Sequence, residues 1–112
     1  QTQSVPPAPA ITPPAGAADV AARLQSSPRH AEWVKVATAT GSRDSIAAWV
    51  VYPERRDNAP VVVVIHEIFG LSGWVRGVAD QLAADGFIAI APDLLSIERG
   101  GATFDSLPSA EA

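Results

Sequence analysis

An α/β fold, in which a two-stranded hairpin leads into a parallel sheet layer, is predicted by three features of the 112-residue chain. Residues 32–53 hold two runs of strand character separated by the turn chemistry of "GSRD". Residues 61–65 and 87–92 are short and wholly apolar, as strands of a parallel sheet are. One amphipathic helix lies between those two runs. Strand, helix and strand therefore follow within about 30 residues, a βαβ unit whose crossover should be right-handed.

Residues 1–16, "QTQSVPPAPAITPPAG", hold five of the ten prolines and no charge. Lacking apolar periodicity, they read as a disordered Pro/Ala-rich linker, and the domain proper is expected over residues 17–112. "AADVAARLQS", residues 17–26, sets Val20 and Leu24 one helical turn apart and predicts a short helix stopped by Pro28. "EWVKVAT", residues 32–38, alternates Trp33, Lys35 and Ala37 with Val34, Val36 and Thr38, and "SIAAWVVYP", residues 45–53, is its return strand. "ERRDNAP" is a polar loop. Val61 to Ile65 is apolar at every position, which predicts a strand buried on both faces. Ser72 stands where a side chain can N-cap the next helix. In that helix Val75, Val78, Ala79, Leu82 and Ala83 form one apolar stripe, and Gly86 is the left-handed residue that ends it. "FIAIAP", residues 87–92, is the second strand of the unit, and after Asp93 the text loses its pattern. Two parallel strands and one covering helix leave a sheet edge and much sheet surface bare, so the chain reads as the front part of a larger fold.

Composition narrows the function classes. The net charge of −4 comes from scattered acids, with no basic cluster, so nucleic acid is not an expected partner. No apolar run approaches the roughly 20 residues of a spanning helix, so no membrane span is expected. With no cysteine, the sequence offers no disulfide, no thiolate metal site and no cysteine nucleophile of its own. With no methionine, translation is not expected to begin at Gln1. An uncharged Pro/Ala tail starting with Gln often follows a cleaved secretory signal, so a periplasmic or secreted location is expected. A fragment boundary in a cytoplasmic protein is the alternative.

The stretch "VVVVIHEIFGLSGW", residues 61–74, carries the chemistry. In open α/β sheets ligands bind beyond the carboxyl ends of the strands; His66 and Glu67 fall there, as does Asp93 after the next strand. A zinc site of the H-E-x-x-H type needs a second histidine where Gly70 stands, and the other histidine, His30, is far away in sequence. "GLSGW" lacks the final glycine of a G-x-S-x-G elbow, Ser72 is too distant from the strand, and no histidine follows it. A helix cap suits Ser72 better. The remaining reading takes the loop after the strand as the one that supplies a backbone N–H to an oxyanion hole.

"VVVIHEIFGL", a helix, and then "DGFIAIAPDLL" resemble the dienelactone hydrolase family, the carboxymethylenebutenolidases, over roughly residues 45–100. The resemblance implies the N-terminal part of an α/β-hydrolase fold, and a hydrolase opening lactone or ester bonds with a Cys-His-Asp triad. It implies no cofactor and no metal, and a small-molecule ester or lactone as the substrate. By motif position, Glu67 matches the glutamate that engages the resting thiol, and Ile68 supplies one oxyanion N–H. His66 falls outside the triad. The cysteine in its G-x-C-x-G-G turn and the later Asp and His are absent from these residues. The chain itself is therefore expected to be inactive, with the nucleophile lying outside it. No motif fixes the residue that would hold a substrate carboxylate, although Arg99 lies in the right region. Plainer readings stand beside these: Glu67 paired with Arg76 or with the helix N-terminus, His66 as a hydrogen-bonded strand-end residue, and Asp93 as a turn residue. Trp33, Trp49 and Trp74 read as core or rim. Two other functions remain open, a serine esterase of the same fold and a non-catalytic module that binds a partner through its edge strand.

Overall fold

The computed structural model describes residues 12–39 and 44–97. The hairpin forms as its alternation requires. Strand β1 (Ala31–Ala37) pairs antiparallel with β2 (Ser45–Val51), Trp33 opposite Trp49. The two indoles meet edge to face, 5.2 Å between centroids at 62°, an arrangement that aromatic pairs favour. Residues 41–43 of the expected turn lie outside the described residues, as does most of the expected linker. The described end of that linker packs: Ala15 is buried, and the Gly16 carbonyl accepts the N–H groups of Asp19 and Val20 at 3.0 Å.

Helix α1 (Val20–Ser26) runs into Pro28, which cannot continue it. It rests on α2 (Gly73–Ala84), where Gly77 leaves room for Val20; a Cβ at that position would collide with the Val20 methyl. Helix α2 turns Val75, Ala79 and Ala83 onto the sheet, with Leu82 partly covered. It also buries Asp80 on the side facing α1, which apolar periodicity does not foretell. Burial of a carboxylate needs charged or hydrogen-bonding partners. Arg29 supplies Nε (3.1 Å) and Nη2 (2.8 Å), and the Ser27 hydroxyl donates at 2.6 Å. The helix ends as its glycine predicts. Gly86 has φ +103°, its N–H bonds the Ala83 carbonyl, and the Phe87 N–H bonds the Leu82 carbonyl, a Schellman motif.

Strands β3 (Val61–Val63) and β4 (Ile88–Asp93) are parallel neighbours joined through α2, the expected βαβ unit. Strand β4 also pairs antiparallel with β2, so one mixed sheet has the order β1-β2-β4-β3. That order corrects one expectation. Strand β3 is short and is not buried on both faces: Val61, Val63 and Ile65 are 61%, 56% and 72% exposed. Among the described residues β3 is last in the sheet and has a neighbour on one side only. Both described helices lie over the opposite face, the one that carries Trp49, Val51, Ala89 and Ala91. The run is apolar throughout, yet only Val62 and Val64 face packed structure.

Candidate functional site at the strand tips

Because β3 and β4 are adjacent and parallel, their carboxyl ends share one rim of the sheet. The last ladder bond on β3 runs from the Val64 N–H to the Ile90 carbonyl, 2.8 Å. The chain then leaves the sheet and makes a tight turn. The Gly70 N–H donates to the Glu67 carbonyl at 3.0 Å, and Gly70 sits at φ +83°, a conformation glycine adopts without steric cost. Leu71, fully buried in the core, pins the far end of the turn.

Within that turn the two sequence-predicted site residues are open to solvent. The Glu67 carboxylate folds back on its own loop, its Oε2 accepting the Phe69 N–H at 3.0 Å. It forms no ion pair with Arg76, whose guanidinium lies 5.3 Å from the centre of the Trp49 ring. Ile68 and Phe69 are 86% and 74% exposed. The Ile68 N–H donates to no acceptor among the described residues, so an incoming acceptor could take it.

His66 is half-buried and bridges the two tips. Its Nε2 accepts the Leu94 N–H at 3.0 Å, and its Nδ1 lies 2.7 Å from the Glu67 carbonyl oxygen. On the β4 side, Asp93 and Ser96 are fully buried. Asp93 Oδ1 accepts the Leu95 N–H (3.2 Å), and its carbonyl accepts both the N–H (3.1 Å) and the hydroxyl (2.7 Å) of Ser96. The Ser96 oxygen in turn accepts the Ala47 N–H of β2 at 3.0 Å. Asp93 is thus a turn residue, as one plain reading expected. Ser96 lies outside the residues that the sequence motifs mark. Its signal was an Asp and a Ser three residues apart just after a strand, spacing that suits a side-chain-closed turn.

The other candidates fall elsewhere. Ser72 takes the N-cap backbone position of α2, but its hydroxyl makes no capping bond; the first turn is closed by its carbonyl, which accepts the Arg76 N–H at 3.1 Å. His30 precedes β1, stacked on Tyr52 and 3.2 Å from Glu32. Trp74 stands half in solvent at the rim. Arg99 lies outside the described residues. Among the described residues no three His, Cys, Asp or Glu gather as metal ligands would, and no helix is long and apolar enough to cross a membrane. A cavity of about 410 Å³ opens between α1, α2 and the hairpin, lined in part by Leu24, Arg29, Trp49 and Asp80. No residue of either strand-tip turn lines it, and Arg29 and Asp80 there serve to hold each other.

Comparison with known proteins bears on this rim. The model of the dienelactone hydrolase family matches residues 46–110, which include both turns. A Salmonella typhimurium protein named "Putative carboxymethylenebutenolidase" is 37% identical over 67 residues, 59% of this chain and 25% of that protein. An Escherichia coli protein named "Putative hydrolase fragment YghX" is 36% identical over 71 residues, 62% of this chain and 60% of its own length. Among solved structures, a Klebsiella pneumoniae protein titled "Putative Dienelactone Hydrolase" superposes with a TM-score of 0.54 at 24% identity. That match covers 72% of this chain and 32% of the other, and it shows a shared α/β fold. The chain spans about a quarter of the length of the carboxymethylenebutenolidase relatives.

Proposed function

The chain belongs to the dienelactone hydrolase family, and from that premise we propose that it forms the N-terminal part of an enzyme that opens ester or lactone bonds. The nucleophile comes from residues outside the 112. A thiolate adds to the substrate carbonyl carbon, and the displaced electron pair settles on oxygen. The Ile68 N–H donates to that oxyanion, which is worth most when the donor is fixed in place beforehand. Glu67 engages the resting thiol and helps it ionise when substrate arrives. No cofactor enters the reaction. The observation that supports this reading best is the Ile68 N–H at the carboxyl end of β3, which has no acceptor among the described residues and lies inside the loop that the family model covers. The uncharged Pro/Ala segment before α1 supports an exported enzyme.

The test begins with the coding frame beyond Ala112. A Gly-x-Cys-x-Gly-Gly turn after an apolar strand is expected, and the longer product should hydrolyse an activated aryl ester or lactone. Glu67→Ala should lower its kcat by about 10²-fold, while the 112-residue chain gives no turnover above its own Glu67→Ala control. A Gly-x-Ser-x-Gly turn would replace this reading with a serine esterase. One observation favours a second reading: the exposed Val61, Val63 and Ile65 at the sheet edge suit a non-catalytic module that binds a partner. A stop codon directly after Ala112 would support it.

A further inference from the structure

We infer that His66 is a positioning residue, held as the neutral imidazole with its proton on Nδ1, that locks the Glu67–Gly70 turn to the turn after β4. The tautomer follows from the partners. A carbonyl oxygen only accepts, so Nδ1, 2.7 Å from the Glu67 oxygen, carries the hydrogen. A backbone N–H only donates, so Nε2, 3.0 Å from the Leu94 nitrogen, presents its lone pair. One protonation state satisfies both bonds. The imidazolium does not, because a proton on Nε2 sets one N–H against another.

The bridge acts on the next peptide along. The Glu67 carbonyl that receives the Nδ1–H belongs to the same peptide unit as the Ile68 N–H, and a peptide unit is planar. Fixing the direction of that C=O therefore fixes the direction of the N–H on its other side. The Gly70 N–H on the same oxygen holds the unit from within the turn. His66 adds the tie from outside, to a β4 turn itself anchored by Asp93 and Ser96. The titratable groups on the two segments it joins are Glu67 and Asp93. Each carboxylate accepts an amide of its own turn, Phe69 and Leu95 respectively. That the fixed N–H serves an oxyanion rests on the proposed function; the bridge itself does not.

The experiment needs no turnover, so its failure is separable from failure of the hydrolase reading. In the ¹⁵N-labelled 112-residue chain at about pH 8, correlation of ring nitrogens with ring protons should show the Nδ1–H tautomer for His66, with His30 as the internal reference. Acidifying the sample until the His66 ring signals report the imidazolium, whose Nε2 can no longer accept, should shift the amide signals of Leu94 and Ile68 together. It should also cut the protection of the Leu94 amide by about fivefold or more, the worth of one ordinary hydrogen bond. His66→Gln sets an amide oxygen within reach of the Leu94 N–H and should keep that protection at both pH values. His66→Ala should lose it at both. An Nε2–H tautomer, ring shifts averaged between tautomers, or equal Leu94 protection in His66→Ala and wild type would each overturn the inference.

Discussion

At the tip of β4, Asp93 and Ser96 are fully buried, and their oxygens bind the turn to itself and to β2. At the tip of β3, a few ångströms across the sheet, Ile68 and Phe69 stand in solvent and the Ile68 N–H is unclaimed among the described residues. Both turns occupy the place where an α/β sheet binds ligands, so place alone does not tell an anchor from a working loop. Burial and unsatisfied donors do. The β4 turn uses Asp93 Oδ1, the Asp93 carbonyl and the Ser96 hydroxyl in holding position. The β3 turn holds position through its flanks, His66 on one side and Leu71 on the other, and leaves its middle free.

The sharpest way to break this comparison is to remove the buried flank. Leu71 has no exposed surface and packs in the core with Val51, Val75 and Ala91. Leu71→Ala should destabilise the chain by about 2–5 kcal/mol, from lost transfer energy plus the cavity left behind. Urea unfolding followed by tryptophan fluorescence reads it. A loss as small as that of a surface substitution would show that the β3 turn is not pinned from the core.

Next in size is the β4 anchor. The Ser96 hydroxyl donates to the Asp93 carbonyl and accepts from the Ala47 amide, which lies at a buried position. Ser96→Ala strands that amide without an acceptor, at a cost of about 1–2 kcal/mol. Amide exchange at Ala47 should accelerate while exchange at Gly70 stays unchanged. Equal acceleration at both would mean that the two tips open as one unit and that the contrast between them is false.

How much of this was legible beforehand divides by the range of the interaction. The hairpin, the α2 stripe and Gly86 depend on contacts a few residues apart, and alternation or a 3.6-residue period records them directly. The placement of "HEIFG" after a strand was legible for the same reason. The bond from Leu94 to His66 spans 28 residues, and that from Arg29 to Asp80 spans 51; neither leaves a periodic trace. Double-sided burial of Val61–Ile65 failed on a different point. An apolar run shows that a strand tolerates cover on both faces, whereas the cover itself depends on strand order and on what packs there. Among the described residues β3 is the edge. The back-bond from Glu67 to the Phe69 amide was equally hidden, because a carboxylate two residues before an N–H can also reach outward.

The smallest expected effect is the one that tests function most directly. If the middle of the β3 turn contributes nothing to folding, its exposed apolar side chains are free for a role other than packing. Ile68→Ser and Phe69→Ser should each change stability by no more than about 0.5 kcal/mol, the usual range for exposed positions. Exposed apolar groups of this size cost solubility, so the double variant should also be less prone to associate, read by light scattering. If either substitution instead destabilised the chain as much as Ser96→Ala, the loop would be a packing element, and its bare Ile68 N–H would be incidental. If neither did, the pair would be free to line a cleft, where apolar surface beside a fixed donor excludes water from a reacting carbonyl and strengthens the hydrogen bond to its oxygen.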